Sequence, residues 1–148
     1  MTGHLDDALR RAQREREARG LARSLRLPTE ARHDFTSNDT LGLARAPEVV
    51  EAGRAALQEH GAGARASRLL GGGSPLDQEL EALTADWLGA EAALLFPTGY
   101  QANLGVVTTL AGEGDAICSD SRNHASLIDA CRLSRARTLV FQHSDPQS

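Results

Sequence analysis

Two short polar segments hold the residues of this sequence that are best suited to binding a phosphorylated or aromatic ligand. Residues 97–101, PTGYQ, lie between a predicted strand and a predicted helix, and residues 121–126, SRNHAS, place His124 at the start of another helix. The free N–H groups and the dipole at a helix start suit a phosphate, so residues 97–101 are a candidate phosphate site. A plain tight turn explains residues 97–101 equally well.

His124 is the candidate for contact with a flat ligand. We expect Asn123 to cap the helix and His124 to occupy its first position, facing the same edge of the fold as residues 97–101. The helix dipole disfavours an imidazolium there, so a neutral ring is available to stack on an aromatic ligand. The alternative is a solvated loop histidine without a role, and neither segment decides the function by itself.

The elements around these two segments predict a parallel sheet. The apolar patterns predict three strands and two intervening helices, at residues 92–96, 99–110, 116–118, 124–133 and 138–141. Such alternation with short connections predicts an α/β fold with right-handed crossovers, and ligands of these sheets bind beyond the carboxyl ends of the strands. We therefore predict that His124 and the turn at residues 98–100 share one site at that edge.

The first 60 residues predict two helices joined by a polar turn. Residues 4–26 follow a loose helical period that Pro28 ends, and residues 33–36 are expected to be extended. The polar residues 37–39 predict a turn, and Pro47 and Gly61 bracket a helix over about residues 47–60.

The middle of the chain predicts a glycine-rich segment followed by a well-capped helix. Residues 61–73 either bind a ligand or bend sharply, because they are too small and flexible to form a core. Ser74 as the cap, Pro75 in the first turn and Asp77 in a capping box predict a helix over residues 74–88 that Gly89 ends. We expect the apolar stripe of that helix to be core: Leu76, Leu80, Leu83 and Trp87.

The composition argues against partners of other classes. The net charge of −4 and the 3% content of aromatic residues give no basis for nucleic-acid binding. No apolar run approaches the roughly 18 residues of a membrane span, and residues 1–27 lack the apolar core of a secretory signal, so we expect no membrane association and a cytoplasmic location. Cys118 and Cys131 are expected to be buried, reduced thiols without a metal site.

Four blocks of the sequence resemble, in order, the signature segments of the α-oxoamine synthases, a family of pyridoxal-phosphate enzymes. The blocks are SNDTLGL at residues 37–43, GAGARASRLLGG at residues 61–72, residues 79–104, and NHASLIDACRLS at residues 123–134. The last block is the most specific, and it is most similar to the branch of the family that forms 8-amino-7-oxononanoate. The resemblance covers about residues 15–145.

The resemblance implies a fold and a reaction. It implies the amino-terminal part of a fold-type-I pyridoxal-phosphate transferase, with an incomplete parallel sheet and flanking helices. Residues 1–45 would form a helical arm and substrate loop, and residues 46–148 the first part of the large cofactor-binding domain. The reaction would be the condensation of an amino acid, L-alanine, with an acyl-coenzyme A, pimeloyl-coenzyme A, with loss of carbon dioxide. It is a step of biotin synthesis, carried out by a homodimer with active sites at the subunit interface.

Carried over residue by residue, the resemblance assigns five residues to the site. His124 would stack on the pyridine ring of the cofactor, and the backbone of Gly99 and Tyr100 would hold its phosphate. Asn38 would lie near the substrate, and Arg23 would contact it. The assignments of Gly99, Tyr100 and His124 agree with the edge of the sheet that the strand pattern indicates.

Three positions affect how the site residues of the family are assigned in this sequence. Arg26 is the alternative to Arg23, because the helix register leaves both open. Thr40 stands where the family signature usually has tyrosine, and Asp77 where many members have histidine. These two differences affect contacts of the loops and remove no catalytic group.

The most consequential departure is the absence of lysine, since all 16 basic residues are arginine. The family uses a lysine to bind its cofactor covalently and to transfer protons, and arginine cannot replace it because its guanidinium does not deprotonate near neutral pH. We therefore expect an inactive amino-terminal fragment of a longer enzyme. The alternative is a non-catalytic partner that dimerises with an intact paralogue and regulates it.

Overall fold

The computed structural model describes residues 3–25, 35–145 and 147. The chain forms two compact units, Met1–Gly61 and Ala62–Ser148. The predicted domain boundary after residue 45 stays a prediction. None of the helices in the described ranges is long and apolar enough to cross a membrane.

The first unit contains helices α1 (Gly3–Ala18) and α2 (Pro47–His60) and a short 3-10 helix at Leu43–Arg45. The predicted α2 is confirmed, with Pro47 in its first turn and Gly61 after its end. The turn at residues 37–39 is also confirmed, because the Asp39 N–H donates to Ser37 Oγ at 3.0 Å.

Helix α1 ends at Ala18, so the prediction of a helix up to residue 26 is wrong. Gly20 has a φ of 66°, its N–H donates to the Glu17 carbonyl oxygen at 3.0 Å, and the Leu21 N–H donates to the Arg16 carbonyl oxygen at 2.8 Å. This pair of hydrogen bonds closes the helix, and the left-handed conformation favours glycine. Arg26, Pro28 and residues 33–34 of the predicted extended segment lie outside the described residues.

The glycine-rich segment at the start of the second unit bends sharply around a 3-10 helix at Arg68–Leu70. The Gly72 N–H donates to the Ser67 carbonyl oxygen at 2.8 Å, and a Cβ atom at Gly72 would lie 1.8 Å from the carbonyl oxygen of Ala66. No other residue fits at this position, so the sharp bend is one established role of the segment. Ligand binding by the segment stays a prediction.

Helix α3 (Pro75–Leu88) has the predicted capping box, with Ser74 and Asp77 bonded to each other's backbone N–H groups and Gly89 in a left-handed conformation after the helix. The prediction that its apolar stripe is core is wrong in this structure. Leu83 is 62% exposed and Trp87 is 84% exposed, because no described element covers that face.

The sheet has two parallel strands, β1 (Ala116–Asp120) and β2 (Arg137–Phe141), paired from Ala116 opposite Arg137 to Asp120 opposite Phe141. Helix α4 (Gly99–Leu110) precedes β1, helix α5 (Ala125–Ser134) connects β1 to β2, and the two helices pack against each other. The predicted α/β class and parallel pairing are confirmed.

The prediction of a first strand at residues 92–96 is wrong, because these residues belong to no helix or strand and do not join the sheet. The Leu95 N–H donates to the Glu81 carboxylate at 2.6 Å, and Arg68 Nη1 donates to the Leu95 carbonyl oxygen at 3.4 Å. Side chains therefore make the hydrogen bonds that a neighbouring strand would otherwise make.

The two cysteines differ in burial although both are free thiols. Cys131 on α5 is buried, as predicted, whereas Cys118 on β1 is exposed and the prediction for it is wrong. Successive side chains of a strand point to opposite faces, so Ser119 is buried on the face that α5 approaches while Cys118 lies on the other.

Arg68 and Glu81 form a two-pronged ion pair in the second unit, with Nη1–Oε1 and Nη2–Oε2 distances of 2.6 and 2.9 Å. The hydrogen bonds from Arg68 and from the Leu95 N–H lower the pKa of Glu81 to about 2, from an ordinary value of 4.5. Because the pKa is lower in the folded state, the stabilisation is complete above about pH 4.5 and is lost as the pH falls towards 2.

We therefore expect Glu81→Gln, made in the full-length gene product, to have a lower Tm than the wild type at pH 7. The two Tm values should converge as the pH falls below about 4.5. Thermal unfolding followed by circular dichroism at a series of pH values measures this. Glu79→Gln on the same helix is the control, since Glu79 makes no ion pair with a described residue. Equal Tm values at pH 7, or a difference that persists unchanged at low pH, would contradict the prediction.

Candidate functional site

The start of α4 offers two backbone donors. Thr98 caps the helix, and its Oγ1 accepts the N–H of Gln101 at 3.1 Å. The N–H groups of Gly99 and Tyr100 have no acceptor among the described residues. They are the first two N–H groups of a 12-residue helix, and its dipole favours an anion beside them.

His124 follows β1 and caps α5 itself. Its Nδ1 accepts the Ser126 N–H at 3.2 Å, and the helix begins at Ala125. The prediction that Asn123 caps this helix and that His124 is its first residue is therefore wrong. Asn123 instead donates from Nδ2 to Ser119 Oγ at 3.0 Å, which ties the loop to the end of β1.

Two residues that the sequence analysis gave no role connect His124 to α4. Ser126 is completely buried, and its Oγ lies 2.7 Å from His124 Nδ1 and 2.8 Å from Asn103 Nδ2 on α4. A signal for Ser126 is present in the sequence, because a side-chain acceptor at a helix cap commonly meets the N–H two positions later. Asn103 has no such local signal, since its contact depends on how the two helices pack.

Tyr100 forms a second connection between the two helices. Its hydroxyl donates to Asp129 Oδ2 at 2.9 Å, and this hydrogen bond raises the pKa of Tyr100, with smaller contributions from desolvation and from the charge of Asp129. Together with the contact between Asn103 and Ser126, it brings the first turns of α4 and α5 side by side. The sequence did not predict this contact.

The carboxyl ends of β1 and β2 are also tied together. Asp120 accepts the Arg122 N–H at 2.7 Å and contacts His143 Nδ1 at 2.9 Å, and these bonds, in that order, lower the pKa of Asp120. The His143 N–H donates to Ser121 Oγ at 3.1 Å. This network holds the loop that leads to His124 at the carboxyl edge of the sheet.

The other two predicted site residues lie in the unit Met1–Gly61. Arg23 is exposed and lines a cleft of about 600 Å³ beside Arg16 and Glu17 of α1. Asn38 is exposed and makes no hydrogen bond with a described residue. Their roles as substrate contacts stay predictions.

The second unit therefore combines groups that fit a ligand with a phosphate and a flat ring. Gly99 and Tyr100 present unpaired N–H groups at a helix start, and His124 presents an exposed imidazole whose Nδ1 is held by α5. A Cβ atom at Gly99 would meet nothing within 4 Å, so there is open space beside these donors. The donors are of the type that bind phosphate, and the ring is of the type that stacks on aromatic ligands.

Comparison with known proteins gives concordant matches. A family model described as aminotransferase class I and II matches residues 33–148. The chain is 52% identical over 135 residues to the 8-amino-7-oxononanoate synthase of Mycobacterium marinum, an alignment that covers 90% of this chain and 35% of the relative. The chain thus spans about a third of the length of the curated relatives that it matches.

Two solved structures resemble the chain in fold. The serine palmitoyltransferase of Sphingomonas wittichii is 41% identical with a TM-score of 0.70, over 72% of this chain and 27% of its own. A serine palmitoyltransferase variant from S. paucimobilis, solved with a bound PLP–myriocin aldimine, is 28% identical with a TM-score of 0.79, over 98% of this chain and 41% of its own. These likenesses confirm the predicted class, that of fold-type-I pyridoxal-phosphate transferases.

Proposed function

The chain belongs to the aminotransferase class I and II family, and we propose that it provides the phosphate-binding and ring-stacking part of a pyridoxal-phosphate-dependent acyltransferase. The observation that carries the proposal is that Asn103, one turn after Gly99 on α4, and His124 at the start of α5 bond the same Ser126 hydroxyl, while the N–H groups of Gly99 and Tyr100 are unpaired. Relatives at about 50% identity named 8-amino-7-oxononanoate synthase support the reaction class.

Each residue has a defined part in this proposal. The N–H groups of Gly99 and Tyr100 bind the cofactor phosphate, assisted by the dipole of α4. The His124 ring orients the pyridine ring by stacking, and Tyr100 fixes the first turn of α4 through Asp129. The cofactor, when bound, supplies the electron-withdrawing ring that stabilises a carbanion at the amino acid. Residues 1–148 contain no lysine, so on this proposal the amine for cofactor attachment comes from outside them.

The substrates proposed are an amino acid, L-alanine, and an acyl-coenzyme A, pimeloyl-coenzyme A. Asn38 and Arg23 are the residues proposed to contact them, in a cytoplasmic homodimer acting in biotin synthesis. Release of free coenzyme A from pimeloyl-coenzyme A, measured with the full-length gene product, tests this choice of substrates. L-alanine should support the release, whereas a preference for L-serine with a long acyl chain would indicate the serine palmitoyltransferase branch.

The phosphate site is tested by deleting a single donor. Gly99 is the first residue of α4, where proline is favoured, and Thr98 before it has a φ of −147° and a ψ of 152°, which are compatible with a following proline. Gly99→Pro therefore removes one N–H with little other change. We expect it to weaken binding of pyridoxine 5′-phosphate, an analogue that cannot react with amines, by about 10- to 150-fold in calorimetry, because hydrogen bonds to charged groups contribute about 1.5–3 kcal/mol.

Two controls isolate the deleted N–H. Gly99→Ala keeps the donor and meets nothing within 4 Å, so its affinity should match the wild type. Pyridoxine without the phosphate should bind Gly99→Pro and the wild type equally. If Gly99→Pro and Gly99→Ala bind the phosphorylated analogue alike, the α4 phosphate site is wrong.

A further inference from the structure

A hydrogen-bonded network joins α4, α5 and the candidate stacking residue through one buried hydroxyl. The network consists of Asn103, Ser126 and His124, and Ser126 at its centre has no solvent exposure. Asn103 Nδ2 lies 2.8 Å from Ser126 Oγ, which lies 2.7 Å from His124 Nδ1. The Ser126 N–H approaches the same Nδ1 at 3.2 Å.

The donors and acceptors of this network can be assigned from the backbone. An N–H can only donate, so His124 Nδ1 accepts from Ser126 and carries no proton. The Ser126 hydroxyl must then donate its single proton to Nδ1 and present a lone pair to Asn103. The Asn103 amide accordingly donates from Nδ2, which is the orientation in the structure. The ring proton of neutral His124 is left on Nε2.

We propose that Asn103 and Ser126 are positioning residues that hold His124 in the Nε2–H tautomer and fix the plane of its ring for stacking on the cofactor. This rests on the proposed function for the stacking role, whereas the tautomer follows from the network alone. Both residues act through His124, because Ser126 is completely buried and bonds the ring, and Asn103 bonds Ser126. A network that served only to pack α4 on α5 would not require a defined tautomer at His124.

The tautomer is measured by ¹⁵N NMR of the full-length gene product, labelled at its histidines and free of cofactor. At about pH 8.5, roughly two units above the ordinary histidine pKa, the two ring nitrogens have different shifts when one tautomer dominates. We expect His124 to show protonated Nε2 and unprotonated Nδ1. A dominant Nδ1–H form, or an equal mixture, in the wild type overturns the proposal without any variant.

Asn103→Asp is designed to reverse the direction of the hydrogen bonds in the network, because it replaces a donor with an acceptor of nearly the same shape. A carboxylate only accepts, so it accepts the hydrogen bond of the Ser126 hydroxyl, and Ser126 Oγ is then free to accept from the ring. This arrangement competes with the Ser126 N–H, which still requires an unprotonated Nδ1, so we expect a larger fraction of His124 to carry its proton on Nδ1 in this variant than in the wild type. Asn123→Asp is the matched control: it adds the same charge next to His124, but Asn123 bonds Ser119 instead of Ser126. An Nδ1 signal that responds equally to both variants, or to neither, contradicts the assignment.

A second pair of variants tests positioning of the ring. Ser126→Ala removes the hydroxyl bonded to His124, and Ser134→Ala removes another buried hydroxyl, bonded to the Cys131 carbonyl oxygen at the other end of α5. We expect Ser126→Ala to weaken binding of pyridoxine 5′-phosphate about 2- to 10-fold, the range of one hydrogen bond, and Ser134→Ala to leave it unchanged. Equal affinities in the two variants overturn the positioning role. If wild type does not bind the analogue, the proposed function fails, and the tautomer measurement still decides the network.

Discussion

Residues 1–148 treated with pyridoxal phosphate and then with borohydride are expected to carry no cofactor-derived mass on any side chain. Reduction traps a cofactor only where an amine has condensed with its aldehyde, and all 16 basic residues are arginine. Guanidinium groups stay protonated near neutral pH and do not react in this way. Intact-mass spectrometry after acetylation of the amino terminus gives the answer as presence or absence of one adduct.

An engineered amine provides the positive control for this result. Arg122 is exposed and lies in the loop between β1 and His124, so Arg122→Lys places a primary amine beside the candidate site. The variant should gain one reducible adduct under conditions in which the wild type gains none. An adduct on an unmodified side chain of the wild type would disprove the prediction and would identify a reactive group that the sequence does not reveal.

Residues 1–148 expressed by themselves are expected to lack a sharp, cooperative unfolding transition. The fully or nearly buried apolar residues among those described are small, namely Ala85, Ala130 and Cys131, whereas Trp87 is 84% exposed. Burial contributes about 25 cal/mol per Å² of apolar surface, and a complete domain has a net stability of only about 5–15 kcal/mol. So little buried apolar surface leaves no margin over the loss of chain entropy.

Calorimetry, dye binding and fluorescence together test this expectation. We expect a broad or absent heat-capacity peak, binding of a hydrophobic dye, and emission from Trp87, the single tryptophan, at the wavelength of a solvated indole. Size-exclusion chromatography should show association through the uncovered apolar faces. A monodisperse monomer with a sharp transition would contradict the prediction and would favour the interpretation of the chain as a self-standing regulatory partner.

Local signals predicted the elements whose ends are fixed by a few neighbouring residues. Ser74 and Asp77 specify the start of α3, and Gly89 specifies its end, so the sequence was sufficient there. The end of α1 was predicted wrongly, because the apolar period continues past Gly20 although glycine in a left-handed conformation ends the helix there.

Features that depend on packing were not predictable in the same way. Residues 92–96 have the composition of a strand, but strand formation requires a partner strand, and the Leu95 N–H is bonded to Glu81 instead. Asn103 gained a role only once α4 lay beside α5, since its partner Ser126 is 23 residues away. The sequence resemblance located His124, whereas the groups that hold its ring came from the three-dimensional arrangement.

The contact between Glu81 and Leu95 has a further consequence for association between molecules. An extended apolar segment such as residues 92–96 is a template on which a strand from another copy can grow. The Leu95 N–H is already bonded to Glu81, so an arriving strand would meet a carboxylate and would have to displace a charge-assisted hydrogen bond. We therefore expect Glu81 to hinder the growth of intermolecular β-structure at Leu95, and we expect acidification to remove this obstacle as the carboxylate takes up its proton.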